Sequence, residues 1–311
     1  MMDKRKLIVL TGPTAVGKTE ISVELAKRID GEIISADSMQ VYKYMDIGSA
    51  KITPDEMGGI KHYLIDVLEP VEDFNVYRFK CLAKECLEEI YSKNKIPIVV
   101  GGTGFYIQAL LYDIDFAEGE DTNSEYRKSL ESLALEKGAE YLHDMLKSVD
   151  AVSAEAIHCN NVKRVIRALE YYHDTNEKIS EHNLNQRQKE SPYDFRYFVL
   201  NDDRDVIYER IDKRVDLMME KGLLNEVRSL KERGYSKDNI SMQGLGYKEI
   251  LSYFNGEYDL EEAVRIIKRD TRHFAKRQLT WFRREKDVIF INKNEFDRDN
   301  DKIINHIISF I

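Results

Sequence analysis

Gly12-Pro-Thr-Ala-Val-Gly-Lys-Thr19 stands between an apolar run at 6–11 and an amphipathic stretch at 18–29. It matches G-x-x-x-x-G-K-[ST], the turn that joins a strand to a helix around phosphate oxygens. Gly12 and Gly17 let the backbone wrap closely, so that Pro13, Thr14, Ala15 and Val16 form the wall of an anion cradle. Successive N–H groups and the positive end of the following helix then point at the anion. Lys18 is placed to reach the outer phosphate, and the Thr19 hydroxyl to hold Mg²⁺. A plain glycine-rich turn leaves Lys and Thr at those two positions unexplained.

Outward from this loop, strand and helix patterns alternate as far as residue 111. Strands are expected at 7–10, 32–35, 63–67 and 96–100, and helices at 18–29, 76–92 and 105–111. Such alternation predicts an α/β fold, a P-loop-type, mostly parallel sheet with flanking helices. Ligands of such sheets sit beyond the carboxyl ends of the strands. Three unusual features fall at those ends: the loop at 12–19, Asp37, and Gly101-Gly-Thr-Gly104.

The pattern breaks at an acidic loop, 117–123, and from 125 to 188 the chain reads as helices only. Val162, Val165, Ile166, Leu169 and Tyr172 recur at helical spacing and predict an inward apolar face, with Lys163 and Arg167 sharing an outer one. The expected organisation is a core of 1–112 and 190–311 carrying an inserted all-helical domain, 113–189. In the second part of the core, a strand is expected at 193–201, helices at 204–220, 223–233 and 260–284, and a last strand at 287–291.

Asp37 has two readings, as a carboxylate that binds metal through water or accepts a proton, and as a cap on the turn at Ser38. The Gln40 amide, one acceptor and two donors, suits an adenine edge or a hydrogen bond within its own loop. The glycines at 101, 102 and 104 make either a simple strand-to-helix turn or a place where the backbone approaches something closely, with the Thr103 hydroxyl pointing into the same crevice. Arg204 opens a predicted helix and has two readings, as a cation that neutralises charge at the phosphate loop and as an ordinary surface arginine; Arg210 and Arg214 lie farther along it.

Net charge is −9, which taken alone argues against a nucleic-acid partner. Charge is segregated, however: from 263 to 286 there are nine Lys or Arg against two acids, a balance of +7. At 100° per residue, Arg265, Arg269, Arg272, Lys276 and Arg283 form a stripe roughly 27 Å long at ~1.5 Å rise per residue, opposite Ala263, Ile267, Phe274 and Trp281. That stripe has the dimensions of a sugar-phosphate footprint. Cys81, Cys86 and Cys159 make neither a CxxC pair nor a disulfide framework, and no apolar run has the length of a membrane span. The chain therefore reads as a reduced, cytoplasmic protein, expected to be a monomer.

These stretches together resemble the tRNA dimethylallyltransferase (tRNA isopentenyltransferase) family. The resemblance rests on the 12–19 loop, Ile34-Ser-Ala-Asp-Ser-Met-Gln-Val-Tyr42, Met45-Asp-Ile-Gly48 and Val100-Gly-Gly-Thr-Gly-Phe-Tyr106. It extends to Val162-Lys-Arg-Val-Ile-Arg-Ala-Leu-Glu170, Gln243-Gly-Leu-Gly-Tyr-Lys-Glu249 and Phe274-Ala-Lys-Arg-Gln-Leu-Thr-Trp-Phe-Arg283. Cys159 stands where the pattern has Pro after His, Val16 is a common variation, and His62-Tyr63 replaces a His-His pair.

The resemblance implies transfer of a dimethylallyl group from dimethylallyl pyrophosphate to N6 of the adenosine just 3′ of the tRNA anticodon. The 12–19 loop then holds pyrophosphate as a leaving group, with Mg²⁺ on Thr19. Asp37, Thr103, Lys18 and Arg204 are the implied catalytic residues. The anticodon stem-loop would meet Asp37, Ser38, Met39 and Gln40. It would also meet Lys163, Arg164, Val165, Ile166 and Arg167, together with Lys276, Arg277, Gln278, Leu279, Thr280, Trp281, Phe282 and Arg283. Two rivals share the loop. An ATP-dependent small-molecule kinase explains the ATP-binding type of motif but leaves the basic helix idle, and a nucleotide-gated RNA-binding module would make no product.

Overall fold

Seven residues at the start of the sheet, Arg5–Thr11 (β1), are apolar from Leu7 inward and run straight into the glycine turn. The computed structural model describes residues 4–116 and 125–311. The acidic loop at 117–123 lies outside the described residues. After β1 come α1 (Lys18–Arg28), β2 (Gly31–Ala36), the short α2 (Pro54–Met57), β3 (His62–Tyr63), α3 (Val76–Ser92), β4 (Ile96–Gly101) and α4 (Gly104–Leu111). β5 (Tyr193–Asn201) returns the chain to the sheet and β6 (Val288–Asn292) completes it.

The strands lie in the order β3-β2-β4-β1-β5-β6, every pair parallel. Ile8, Leu10, Ile33 and Ile98 pack with Ile21 and Leu25 of α1 in one core cluster. Leu7, Val9, Ile34 and Val99 are buried as well. Since side chains alternate along a strand, both faces of the sheet are covered. Register places Thr11 opposite Gly101 on one side and Val199 on the other, and Gly101 opposite Ala36. The ends of β2, β4 and β1 therefore stand level, and each leads into one of the three unusual segments.

The strand expected at 63–67 is a correction: pairing stops at Tyr63. Leu64 and Asp66 take left-handed backbone, φ 61° and 55°, which ends a strand, and Lys51 is held between Asp46 and Asp66. Three helices were not legible in the sequence pattern: α2, α12 (Tyr247–Phe254) and α14 (Asn300–Ile308). Between β5 and β6 run α10 (Arg204–Glu220), α11 (Leu223–Glu232), α12 (Tyr247–Phe254) and α13 (Leu260–Phe282), and α14 (Asn300–Ile308) follows β6. Ile303, Ile304 and Ile307 of α14 join the α1 cluster, and Arg28 on α1 bonds Asn305 and Asp301.

The chain divides into two compact units, 1–111 with 191–311, and 112–190. Taken by itself, the second holds α5 (Glu125–Lys137), α6 (Ala139–Val149), α7 (Ala151–Ala156), α8 (Val162–Thr175) and α9 (Ile179–Gln188). Its core is Leu130, Leu142, Leu146, Val165, Ile166 and Leu169. Asp150 ties α7 to α9, its carboxylate accepting from the N–H and hydroxyl groups of both Ser153 and Ser180. Among the described residues, no helix is long and apolar enough to cross a membrane. All three cysteines are free, and burial pushes the Cys86 thiol up to about 11, which keeps it protonated and unreactive.

Candidate active site

The phosphate loop is held in its wrapped form by backbone conformations that few sequences support. Gly12 has φ 148° and Gly17 φ 93°, and any Cβ at Gly12 would overlap the Leu200 carbonyl. Ala15 takes φ 63° and is held by Ile207, Ile211 and Ala275, which pack against it. From behind, Lys293 is buried with its ammonium 3.2 Å from Asn300 Oδ1 and 3.5 Å from the Val16 carbonyl.

Lys18 donates to the carbonyls of Gly12 at 3.0 Å and Pro13 at 2.9 Å, so it lies folded over the loop. Burial, helped by the nearby Arg214 and opposed by Asp37, brings its pKa down to about 8. Arg214 reaches Thr14 Oγ1 at 3.4 Å and is itself held below its usual range, again chiefly by burial. Neither cation forms an ion pair with an acid among the described residues. Two half-buried positive groups beside an exposed helix N-terminus constitute a site that an anion stabilises.

Arg204 corrects an expectation. It is exposed and lies over the Tyr208 ring at 5.0 Å, while Arg210 is paired with the buried Asp202 at 3.1 Å. Arg214 is the arginine on the loop. The signal was present in the sequence: Arg214 follows Ile207 by seven residues, almost two helical turns, and so shares the face that packs on Ala15.

Asp37 follows β2 directly. Its Oδ1 accepts from Met39 N at 2.8 Å and Gln40 N at 3.3 Å, so the carboxylate does cap its turn. One oxygen is thereby occupied and the other is left for further chemistry. Gln40 directs its Nε2 to the carbonyls of Ser49 at 3.4 Å and Ala50 at 3.3 Å. Its donors are therefore committed to its own loop, and what it offers is the acceptor Oε1. Thr103 anchors its N–H on the Ala36 carbonyl at 3.3 Å, which brings the glycine turn beside Asp37. The Thr103 and Thr19 hydroxyls make no hydrogen bond within the described residues.

What the glycine turn approaches closely is α13. A Cβ at Gly102 would overlap the Gln278 amide, and one at Gly104 would overlap the Trp281 indole. Gln278 is buried, as is Phe282, and the Trp281 Nε1 is buried without a hydrogen-bond partner among the described residues. Within the 276–283 run, the exposed side chains are Lys276, Arg277, Thr280 and Arg283. The basic stripe is corrected likewise. Arg265 is paired with Glu262, Arg269 with Asp270 and Arg272 with Asp212, so among the described residues the charge without an ion pair lies at the C-terminal end, on Lys276, Arg277, Arg283 and Arg284. In the helical unit Val165 and Ile166 are core residues, whereas Lys163 and Arg164 are exposed.

This geometry defines a phosphate-loop α/β protein whose anion cradle, carboxylate and free hydroxyl meet at neighbouring strand ends. The model of one family, IPP transferase, matches residues 40–285. The chain is 63% identical over 293 residues to a tRNA dimethylallyltransferase of Lachnoclostridium phytofermentans, covering 94% of this chain and 93% of that protein. It is 56% identical to a tRNA dimethylallyltransferase of Acetivibrio thermocellus, covering 97% and 96%. Among solved structures, the Bacillus halodurans tRNA isopentenylpyrophosphate transferase is 45% identical, with a TM-score of 0.73 over 98% of this chain and 96% of that one. A eukaryotic dimethylallyltransferase acting on tRNA is 30% identical, with a TM-score of 0.80, covering 93% and 74%. The chain belongs to the IPP transferase family.

Proposed function

We propose that this protein transfers a dimethylallyl group from dimethylallyl pyrophosphate to N6 of the adenosine immediately 3′ of the anticodon in tRNA, releasing pyrophosphate. The observation that carries this reading is the pair Lys18 and Arg214, two half-buried cations without an ion-paired acid among the described residues, beside Asp37 at the next strand end but one. An exocyclic adenine amine is a weak nucleophile because its lone pair is delocalised into the ring. As the bond from N6 to the allylic carbon forms and the carbon–oxygen bond breaks, Asp37 takes the amine proton, help worth ~10²–10⁴ in rate. The Thr103 hydroxyl orients the amine. The loop N–H groups, Lys18 and Arg214 stabilise the charge gained by pyrophosphate, and each such preorganised donor is worth ~10²–10³.

Mg²⁺ fits the residues present. The described residues include no cluster of three or more His, Cys, Asp or Glu that would hold a metal alone. Magnesium commonly binds through one or two protein oxygens with waters and phosphate completing its shell, and the exposed Thr19 hydroxyl supplies one. When bound there, the ion would withdraw charge from the pyrophosphate oxygens. The target base must leave its stack to reach the crevice, and Gln40 would read its edge through Oε1. The exposed Lys163, Arg164, Lys276, Arg277 and Arg283 would contact the RNA backbone.

Purified protein incubated with Mg²⁺, unmodified tRNA carrying adenosine 3′ of the anticodon, and dimethylallyl pyrophosphate should yield prenylated adenosine by nucleoside mass spectrometry. ATP in place of the prenyl donor should yield neither product nor ADP. ADP release without prenylated adenosine would assign the site to a kinase instead.

A further inference from the structure

Two of the family-like stretches, Met45-Asp-Ile-Gly48 and Gln243-Gly-Leu-Gly-Tyr-Lys-Glu249, have no part in the chemistry above. They meet at Glu226. This carboxylate, on α11, accepts through Oε2 from Asp46 N at 2.9 Å and Ile47 N at 2.8 Å. Through Oε1 it accepts from Gly48 N at 3.1 Å and from the Tyr247 hydroxyl at 2.7 Å. Three consecutive backbone N–H groups converging on one anion form a nest, and such charge-assisted bonds are stronger than neutral ones. Glu226 has no cation among the described residues, so the turn at 46–48 and the tyrosine carry its whole compensation.

The next two residues of that turn are Ser49 and Ala50, whose carbonyls hold the Gln40 amide. Packing closes the assembly: a Cβ at Gly48 would lie 2.6 Å from the Tyr247 ring, and one at Gly244 would lie 2.5 Å from Met39 Cε. Burial and the adjacent Glu226 keep the Tyr247 phenol protonated and therefore a donor. A chain of contacts thus runs from Glu226 through the 46–50 turn to the orientation of one side-chain amide.

We infer that Glu226 is a positioning residue for base recognition, fixing Gln40 so that its carbonyl oxygen, and not its NH₂, is presented to the target base. This deepens the proposed function and rests on it. An outward acceptor pairs with an exocyclic amine, which adenine carries at C6, and meets repulsion from a carbonyl at the same place, as in guanine or hypoxanthine. The discrimination comes from a residue that never touches the RNA.

The test is a double-mutant cycle on Glu226→Gln and Gln40→Ala. It measures KM and kcat separately for an anticodon stem-loop RNA and for dimethylallyl pyrophosphate. Glu226→Gln should raise the RNA KM about tenfold, since charge-assisted bonds to the turn are lost, and leave the prenyl-donor KM within about twofold. In the Gln40→Ala background the same change should add little to the RNA KM. Tyr247→Phe removes one donor of four and retains the ring, so it should give a smaller rise of the same kind if Glu226→Gln folds poorly. Equal losses in both backgrounds, or a parallel rise in both KM values, would make Glu226 a structural residue only. An RNA KM unmoved by Gln40→Ala alone would also overturn the inference, while continued formation of prenylated adenosine would leave the proposed reaction standing.

Discussion

Gln278 ties Thr14 to the opposite wall of the crevice: its Oε1 accepts the Thr14 N–H at 2.9 Å while its Nε2 donates to the Gly102 carbonyl at 3.0 Å. One buried amide from α13 therefore sets the spacing between the phosphate loop and the turn that carries Thr103. Gln278→Ala leaves both backbone groups unpaired, and each costs about 1–3 kcal/mol if it stays dry. Denaturant unfolding should show that loss, and the KM for the prenyl donor should rise. Gln278→Glu retains the acceptor for Thr14 but sets a buried carboxylate oxygen against the Gly102 carbonyl, so it should be at least as damaging as alanine on both measures.

Asp37 is bound by its own turn through Oδ1, so substituting it changes two things at once. Asparagine separates them, since its amide oxygen still caps Met39 N but has no useful basicity. Asp37→Asn should lower kcat by ~10²–10⁴ with unfolding free energy nearly unchanged. Asp37→Ala should show the same kinetic loss plus about 1 kcal/mol of destabilisation, the usual value of such a cap. Equal activity in Asp37→Asn and wild type would remove the general-base role.

Legibility of the sequence followed from how local each signal was. β1, α1, α3 and β5 carry their own periodicity, and the parallel sheet follows from their alternation. The loop at 12–19 is a contiguous motif. The roles of Arg214 and Gln278 are not legible in the sequence because they depend on what a helix packs against, which periodicity restricts to a face without naming the partner. The basic stripe was over-read for a similar reason: Asp212 on α10 neutralises Arg272 on α13, sixty residues apart in the chain. α14 was missed because a short amphipathic helix at a chain end gives few turns of pattern.

Arg214 and Arg204 separate kinetically. Arg214 lies on the loop and Arg204 over an exposed ring. Arg214→Ala should lower kcat by ~10²–10³ with tRNA binding retained, as expected when a donor to the leaving group is removed. Arg204→Ala should stay within about threefold of wild type, because an exposed cation–π contact is worth only ~0.5–1 kcal/mol. Steady-state kinetics on both variants decides between them.

The unneutralised cations of α13 give a salt test. Lys276→Ala and Arg283→Ala should each weaken tRNA binding and flatten the slope of log K against log salt by roughly one, if each contacts a phosphate. Arg272→Ala should leave that slope unchanged, since its guanidinium is spent on Asp212, and should instead lower stability. A salt-independent affinity in the wild type would show that the basic end of α13 does not contact the RNA backbone.

Lys18 predicts the pH dependence of anion binding. Its folded pKa, about 8, lies below the ordinary lysine value of 10.5. Between these two values the unfolded chain binds more protons than the empty folded one, so stability of the empty protein should rise with pH across this window. Below about pH 8 the lysine is charged in both states and the full desolvation penalty remains. A bound pyrophosphate reverses the preference, because an anion beside the ammonium raises its pKa. Binding above pH 8 must therefore take up a proton, and affinity for dimethylallyl pyrophosphate should fall as pH rises from 8 toward 10, by at most about tenfold per unit. Titration calorimetry in buffers of different ionisation enthalpy measures that uptake directly. Lys18→Met should bind more weakly and lose this component of the uptake, and an unchanged uptake in the variant would place the titrating group elsewhere.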